Sequence, residues 1–173
     1  GKEKAFEYTR GEWKNITNDR NVIGTYGVND AGSSDKYDKG SALVHTIRLL
    51  MNDDERFRMM LHKMNDTFYH QQITTKQMED FIMGFSGLPL QPVFDQYLRS
   101  TMIPELQWRK KGKHLEYRFV STVPGFTLPV TLALGNKEQK LRVTPEWQSI
   151  RLPASSVQVS FPAEFLIRVK QLD

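Results

Sequence analysis

Hydrophobic positions along the chain change their spacing near residue 103, from a helical repeat to strict alternation. Before that point Leu43, Ile47, Leu50 and Met51 form one stripe, and Phe57, Met60, Leu61, Met64 and Phe68 form a second. Both have the three-and-four spacing that lines one face of a helix and predicts its burial. Thr74 with Gln77 fits a capping box ahead of Met78, Phe81 and Ile82, because each side chain can satisfy an amide the first helical turn leaves open. Pro92 suits the first turn of a further helix carrying Val93, Phe94, Tyr97 and Leu98. Asn52 to Glu55 and Ser86 to Leu90 punctuate the series. Near the start, Ala5, Tyr8, Trp13 and Ile16 can share a face, with Gly11 interrupting it at about 1 kcal/mol.

After Pro104 the apolar residues alternate: Leu106 and Trp108; Leu115, Tyr117 and Phe119; Val130, Leu132 and Leu134; Val157, Val159 and Phe161; Phe165, Ile167 and Val169. Period two means strands with one wet face. Turn residues lie between them at Lys111 to Lys113, Pro124 with Gly125, Gly135 with Asn136, and Pro153 with Ala154. The expectation is an α+β chain, with a helical segment over residues 1–101 and an antiparallel β-sandwich of about seven strands over 102–173.

Composition narrows the chemistry. The chain has 173 residues and no cysteine, which removes disulfides, thiolate metal ligands and thiol nucleophiles. No apolar run approaches the roughly 18 residues of a membrane span. Lys and Arg number 13 against 14 Asp and Glu up to residue 100, and 11 against 6 beyond it, so the basic excess belongs to the strands. The run Arg109, Lys110, Lys111 and Lys113 surrounds a turn and can touch nucleic acid or anionic lipid, but it is short and lacks an RNA-binding aromatic motif; a solvated hairpin is the expectation, with no nucleic-acid partner. His45, His62, His70 and His114 have no zinc-ligand spacing, and His45 is expected to be a hydrogen-bonded core or boundary residue beside Val44 in the buried stripe. Tyr37 stands out because it precedes a helix. A phenol protonated at neutral pH can donate a hydrogen bond to an oxyanion, and a helix start favours negative charge nearby.

The order of segments carries more than any one of them. "KYDKGSALVHTIRLLMNDDERFRMML", then "TTKQMEDFIMGFSGLPLQPVFDQYL", then "IPELQW" resembles the C-terminal part of the catalytic domain of gluzincin zinc aminopeptidases, the family of aminopeptidase N and leukotriene hydrolase. Tyr37, Asp38, Lys39 and Gly40 fill a Tyr-acid-Lys-Gly motif; Thr75, Phe81, Ser86, Gly87, Leu90, Phe94, Asp95, Gln96, Tyr97 and Leu98 fill the third segment, with Tyr97 where tryptophan is common. The resemblance implies the end of a thermolysin-like catalytic domain followed by the family's β-sandwich. It implies Tyr37 as the catalytic residue present, hydrogen-bonding the oxyanion of the tetrahedral intermediate while zinc polarises the carbonyl of a peptide substrate. The HExxH helix, the downstream zinc-ligand glutamate and the Gly-x-Met-x-Asn strand have no counterpart here. Zinc is therefore expected in a parent protein and none in this chain, which alone should be inactive and would have the remainder of the catalytic domain as its partner. Resemblance also favours an exported parent, periplasmic or secreted.

The competing reading is a non-catalytic protein-interaction module, in which Tyr37 is only structural. A nucleic-acid-binding domain using the basic hairpin is a third.

Overall fold

The computed structural model describes residues 2–30 and 32–173; the side chains of Lys2, Glu3 and Ala5 lie outside the described part, and so does the expected place of Ala5 on the first helix face. Helices α1 (Lys2–Trp13), α2 (Asp38–Met51), α3 (Asp54–Thr67), α4 (Thr75–Ser86) and α5 (Gln91–Leu98) come first. Strands β1 (Glu105–Lys111), β2 (His114–Val120), β3 (Leu128–Leu134), β4 (Lys137–Val143), β5 (Gln148–Arg151), β6 (Val159–Ser160) and β7 (Arg168–Gln171) follow. The α+β class and the order of its halves are as the periodicity predicts.

Helix α2 is central, packing against α1, α3 and α5. It buries Lys39, Ala42, Leu43, Thr46 and Ile47, while Leu50 and Met51 of the predicted stripe are half-buried, and Thr46 Oγ1 donates to the Ala42 carbonyl at 2.8 Å. Val44 is 48% exposed, so the stripe runs along its neighbours and not through Val44. Asn52 closes the helix in the left-handed region, φ 49°. The side chain of Asp53 then accepts from the amides of Glu55 and Arg56, starting α3. Phe57 and Met60 are buried on α3 while Leu61 is exposed, a narrower face than the five-residue stripe. The predicted capping box is present on α4: Thr74 N donates to Gln77 Oε1 at 2.8 Å, and Gln77 N to Thr74 Oγ1 at 3.3 Å. Gly87 ends α4 at φ +70°, where a side chain would be strained.

Two sheets form among the described residues, in the orders β5-β2-β1-β7 and β4-β3-β6. Pairing is antiparallel except between β1 and β7, which run parallel. Two departures from the alternation pattern have one cause. Around 157–161 only Val159 and Ser160 pair, and of Phe165, Ile167 and Val169 only Val169 lies in a strand, where it is 44% exposed; Phe165 and Leu166 are both buried just before it. β6 and β7 are edge strands, paired on one side, so alternation there is not enforced by burial on a shared face. The remaining edge strands, β4 and β5, carry too little apolar alternation to be read from sequence.

A single apolar cluster runs from Ala42 and Ile47 on α2 through Val93, Phe94 and Tyr97 on α5 into Leu106, Phe119, Phe126 and Leu128. Helix α5 is the joint. Tyr97 packs edge-on to Phe126 at 6.2 Å and donates from its hydroxyl to the Leu166 carbonyl at 3.0 Å. Gln96, wholly buried, donates to the carbonyls of Met102 (2.8 Å) and Ser121 (3.3 Å) and accepts from Val123 N (2.8 Å). Residues 94–97 therefore tie the helices to the start of the sandwich.

Candidate functional site

Tyr37 is positioned by the loop that precedes it. Asp35, 1% exposed, accepts from Thr17 N (2.9 Å), Thr17 Oγ1 (3.0 Å) and Asn18 N (2.7 Å), closing a loop of 18 residues at its base. Ser33 Oγ donates to Asp19 Oδ1 at 2.6 Å and accepts from Asp35 N at 3.1 Å. That donor holds the Asp19 carboxyl below its usual range. Arg20 binds Asp30 at 3.1 Å and the Gly32 carbonyl at 2.7 Å, which ties the loop across its waist. A side chain on Gly32, φ +72°, would approach the Val22 carbonyl at 3.3 Å. A 3-10 turn, Ser34–Lys36, leads from this base to Tyr37, which serves as the last residue of the turn and the first of the α2 entrance.

At the entrance two motif residues point in opposite directions. Positions two apart on a helix differ by about 200° around its axis. Lys39 turns inward, fully buried, and its Nζ donates to the Ser100 carbonyl at the end of α5, 2.7 Å away. Burial lowers the Lys39 pKa, and the charge of Asp35 partly offsets this. Tyr37 turns outward, 71% exposed, with Lys36 Nζ 5.4 Å from its ring centre. Its carbonyl accepts the first helical bond, from Ser41 N at 2.8 Å, and its hydroxyl carries no capping bond. The scaffold thus anchors the backbone at 35–39 and presents a phenol to solvent, where it is available to a group arriving from outside.

The other candidates do not converge on Tyr37. His45 is a boundary residue whose ring meets Phe6 edge-on at 5.1 Å; its Nε2 is buried with no hydrogen-bond partner among the described residues, against the expectation of a bonded histidine. Burial, with Arg48 second, lowers its pKa, and Glu164 acts in the opposite sense. His62 lines a shallow cavity of about 380 Å³ on the outside of α3, with Glu55 and Arg58. His70 follows α3, and His114 opens β2. Among the described residues no three His, Cys, Asp or Glu side chains come together as a metal-binding group. The basic run is also divided: Arg109 and Lys111 bind Glu116 at 2.7 and 3.1 Å, while Lys110 donates to the Val157 carbonyl.

No protein-family model matches the chain, and no curated protein matches it. The candidate site therefore stands on its own residues.

Three further features had no signal in the sequence. Tyr26 at the loop tip shares a 2.6 Å hydroxyl contact with Thr75 and accepts from Thr75 N at 3.1 Å, which ties the loop to the start of α4 and lowers the Tyr26 pKa. An open cavity of about 410 Å³ lies beneath it, lined by Val22, Ile23, Thr25, Asp30, Thr75 and Leu98. Glu79, 2% exposed at its side chain, lies 2.8 Å from Arg99, although the approach is not aligned as a hydrogen bond. Tyr37 lines neither cavity.

Proposed function

We propose that this chain is the C-terminal part of the catalytic domain of a zinc aminopeptidase, joined to its β-sandwich, and that Tyr37 supplies the hydrogen bond to the oxyanion formed when an N-terminal peptide bond is cleaved. The observation that carries the reading is the outward stance of Tyr37 at the α2 entrance, over a backbone held by the buried pair Asp35 and Lys39. An oxyanion donor has to be fixed in its main chain and free at its hydroxyl, since preorganisation is what makes such a bond effective. The positive end of α2 lies beside the same ring and favours developing negative charge. In this reading the metal and the general base belong to parts of the catalytic domain outside these residues. The chain's own contribution is to hold one proton donor in place. By itself it is expected to have no peptidase activity.

The test uses the chain together with the polypeptide that precedes it in its gene. Tyr37→Phe should lower kcat on an aminoacyl anilide by about 100-fold or more, as for removal of one oxyanion donor, with bound zinc and thermal stability unchanged. Undiminished turnover, or the absence of an HExxH segment upstream, rejects the proposal and leaves a non-catalytic interaction module.

A further inference from the structure

The basic excess of the C-terminal half is not spread evenly over the sandwich. Strand registry gathers it on one sheet face. Glu105, Gln107, Arg109 and Lys111 of β1 share a face with Val120, Arg118, Glu116 and His114 of β2, because Leu106, Trp108, Leu115, Tyr117 and Phe119 take the inner face. Arg151 of β5 pairs with His114, and Arg168 and Lys170 of β7 pair with Glu105 and Gln107, which puts all three on the same outer side. Six cations therefore face outward against two acids. Glu116 is already satisfied by Arg109 and Lys111, and Glu105 accepts from Gln107 at 2.8 Å. Arg151, Arg168 and Lys170 have no acidic partner among the described residues. Across the middle of this array lies Trp147, 39% exposed, with the guanidinium of Arg109 4.6 Å and that of Arg118 4.5 Å from its ring centre.

We infer that this face docks on an anionic lipid surface. Charge complementarity calls for a polyanion, and two observations choose among them. The cations form a two-dimensional array over four strands, roughly 14 Å by 20 Å from the usual strand spacing and rise, which matches a plane of headgroups better than the single track of a linear polymer. The indole rests on two guanidinium groups, and its exposed part is an amphipathic aromatic of the kind that seats between headgroups. No helix among the described residues is long and apolar enough to cross a membrane, so the contact is peripheral. The inference does not depend on any role of Tyr37.

Vesicles of phosphatidylcholine with about one-third phosphatidylserine provide the test, read by co-sedimentation of the whole chain. Binding should exceed that to pure phosphatidylcholine and weaken as salt is raised, since exposed charges are screened. At about fivefold per cation, the triple variant Arg151→Gln, Arg168→Gln, Lys170→Gln should bind about 100-fold more weakly with an unchanged melting temperature. The triple variant Lys14→Gln, Arg58→Gln, Lys63→Gln removes the same charge from exposed positions of the helical half and should bind within about twofold of the parent chain. Tryptophan emission should shift to the blue on binding, and Trp147→Phe should abolish the shift. The inference is overturned by equal affinity for neutral vesicles, by equal loss in both triple variants, by an unshifted spectrum, or by tighter binding of heparin or a single-stranded oligonucleotide through the same residues.

Discussion

Replacing Lys39 with methionine isolates what its ammonium contributes to anchoring the α2 entrance. Methionine keeps most of the buried stem and removes only the ammonium, which donates to the Ser100 carbonyl at 2.7 Å and lies close enough to the buried Asp35 for their charges to interact. A hydrogen bond from a charged donor contributes about 1.5–3 kcal/mol. Relief of the ammonium's desolvation acts against that loss, and the lowered pKa of Lys39 shows that this penalty is present in the fold. Asp35, 1% exposed, would be left without its nearby cation, which restores the balance toward destabilisation. A net loss of about 2 kcal/mol at neutral pH is the expected result, or roughly 4–8 °C in melting temperature for a chain of this size. The sign with pH is a second check. A lysine whose folded pKa is depressed binds fewer protons folded than unfolded in the window below about 10.4, so wild-type stability rises through that window. Lys39→Met has no such titration, and the gap between the two proteins should widen from neutral pH toward pH 10. Urea unfolding at a series of pH values measures both effects. Equal stability at pH 7 refutes the anchoring role, and a gap that narrows with pH refutes the depression of the Lys39 pKa by burial.

Tyr97→Phe keeps the ring against Phe126 but leaves the Leu166 carbonyl without its donor; a loss of about 1–2 kcal/mol is expected, with an unchanged urea m-value because the surface exposed on unfolding is nearly the same. His45→Phe should flatten the acid side of the stability profile. With its folded pKa lowered by burial, His45 contributes stability that is present above about 6.5 and is lost as the pH falls through the folded value, so the variant's urea midpoint should change less than that of the wild type between pH 7 and 5.

How much of this was legible in the sequence depends on whether burial enforced a period. The capping box at Thr74 and Gln77, the turn after Met51 and the inner positions of β1 to β3 could be read directly, because each pattern is local or is repeated along one buried face. Edge strands escaped: β4 carries "KEQKLRV" with only Leu141 and Val143 buried, and its pairing comes from β3, not from its own alternation. The basic run at 109–113 was visible as a run but misleading as a patch. Alternation sends Lys110 to the Val157 carbonyl, while the true concentration of charge brings in Arg118, Arg151, Arg168 and Lys170, which only strand registry assembles.

The α2 entrance shows the same division at smaller scale. Tyr37 could be singled out by its place before a helix, but its direction is set by residues that carry no signal alone: Asp35, closed over Thr17 and Asn18, and Ser100, sixty-one positions from Lys39. Those contacts use up the inner side of the entrance. With the side chains of Asp35 and Lys39 committed to Thr17, Asn18 and Ser100, the outward phenol of Tyr37 is left open to an approaching group. A group that meets Tyr37 must therefore reach it from outside the core, the side from which the proposed oxyanion would come.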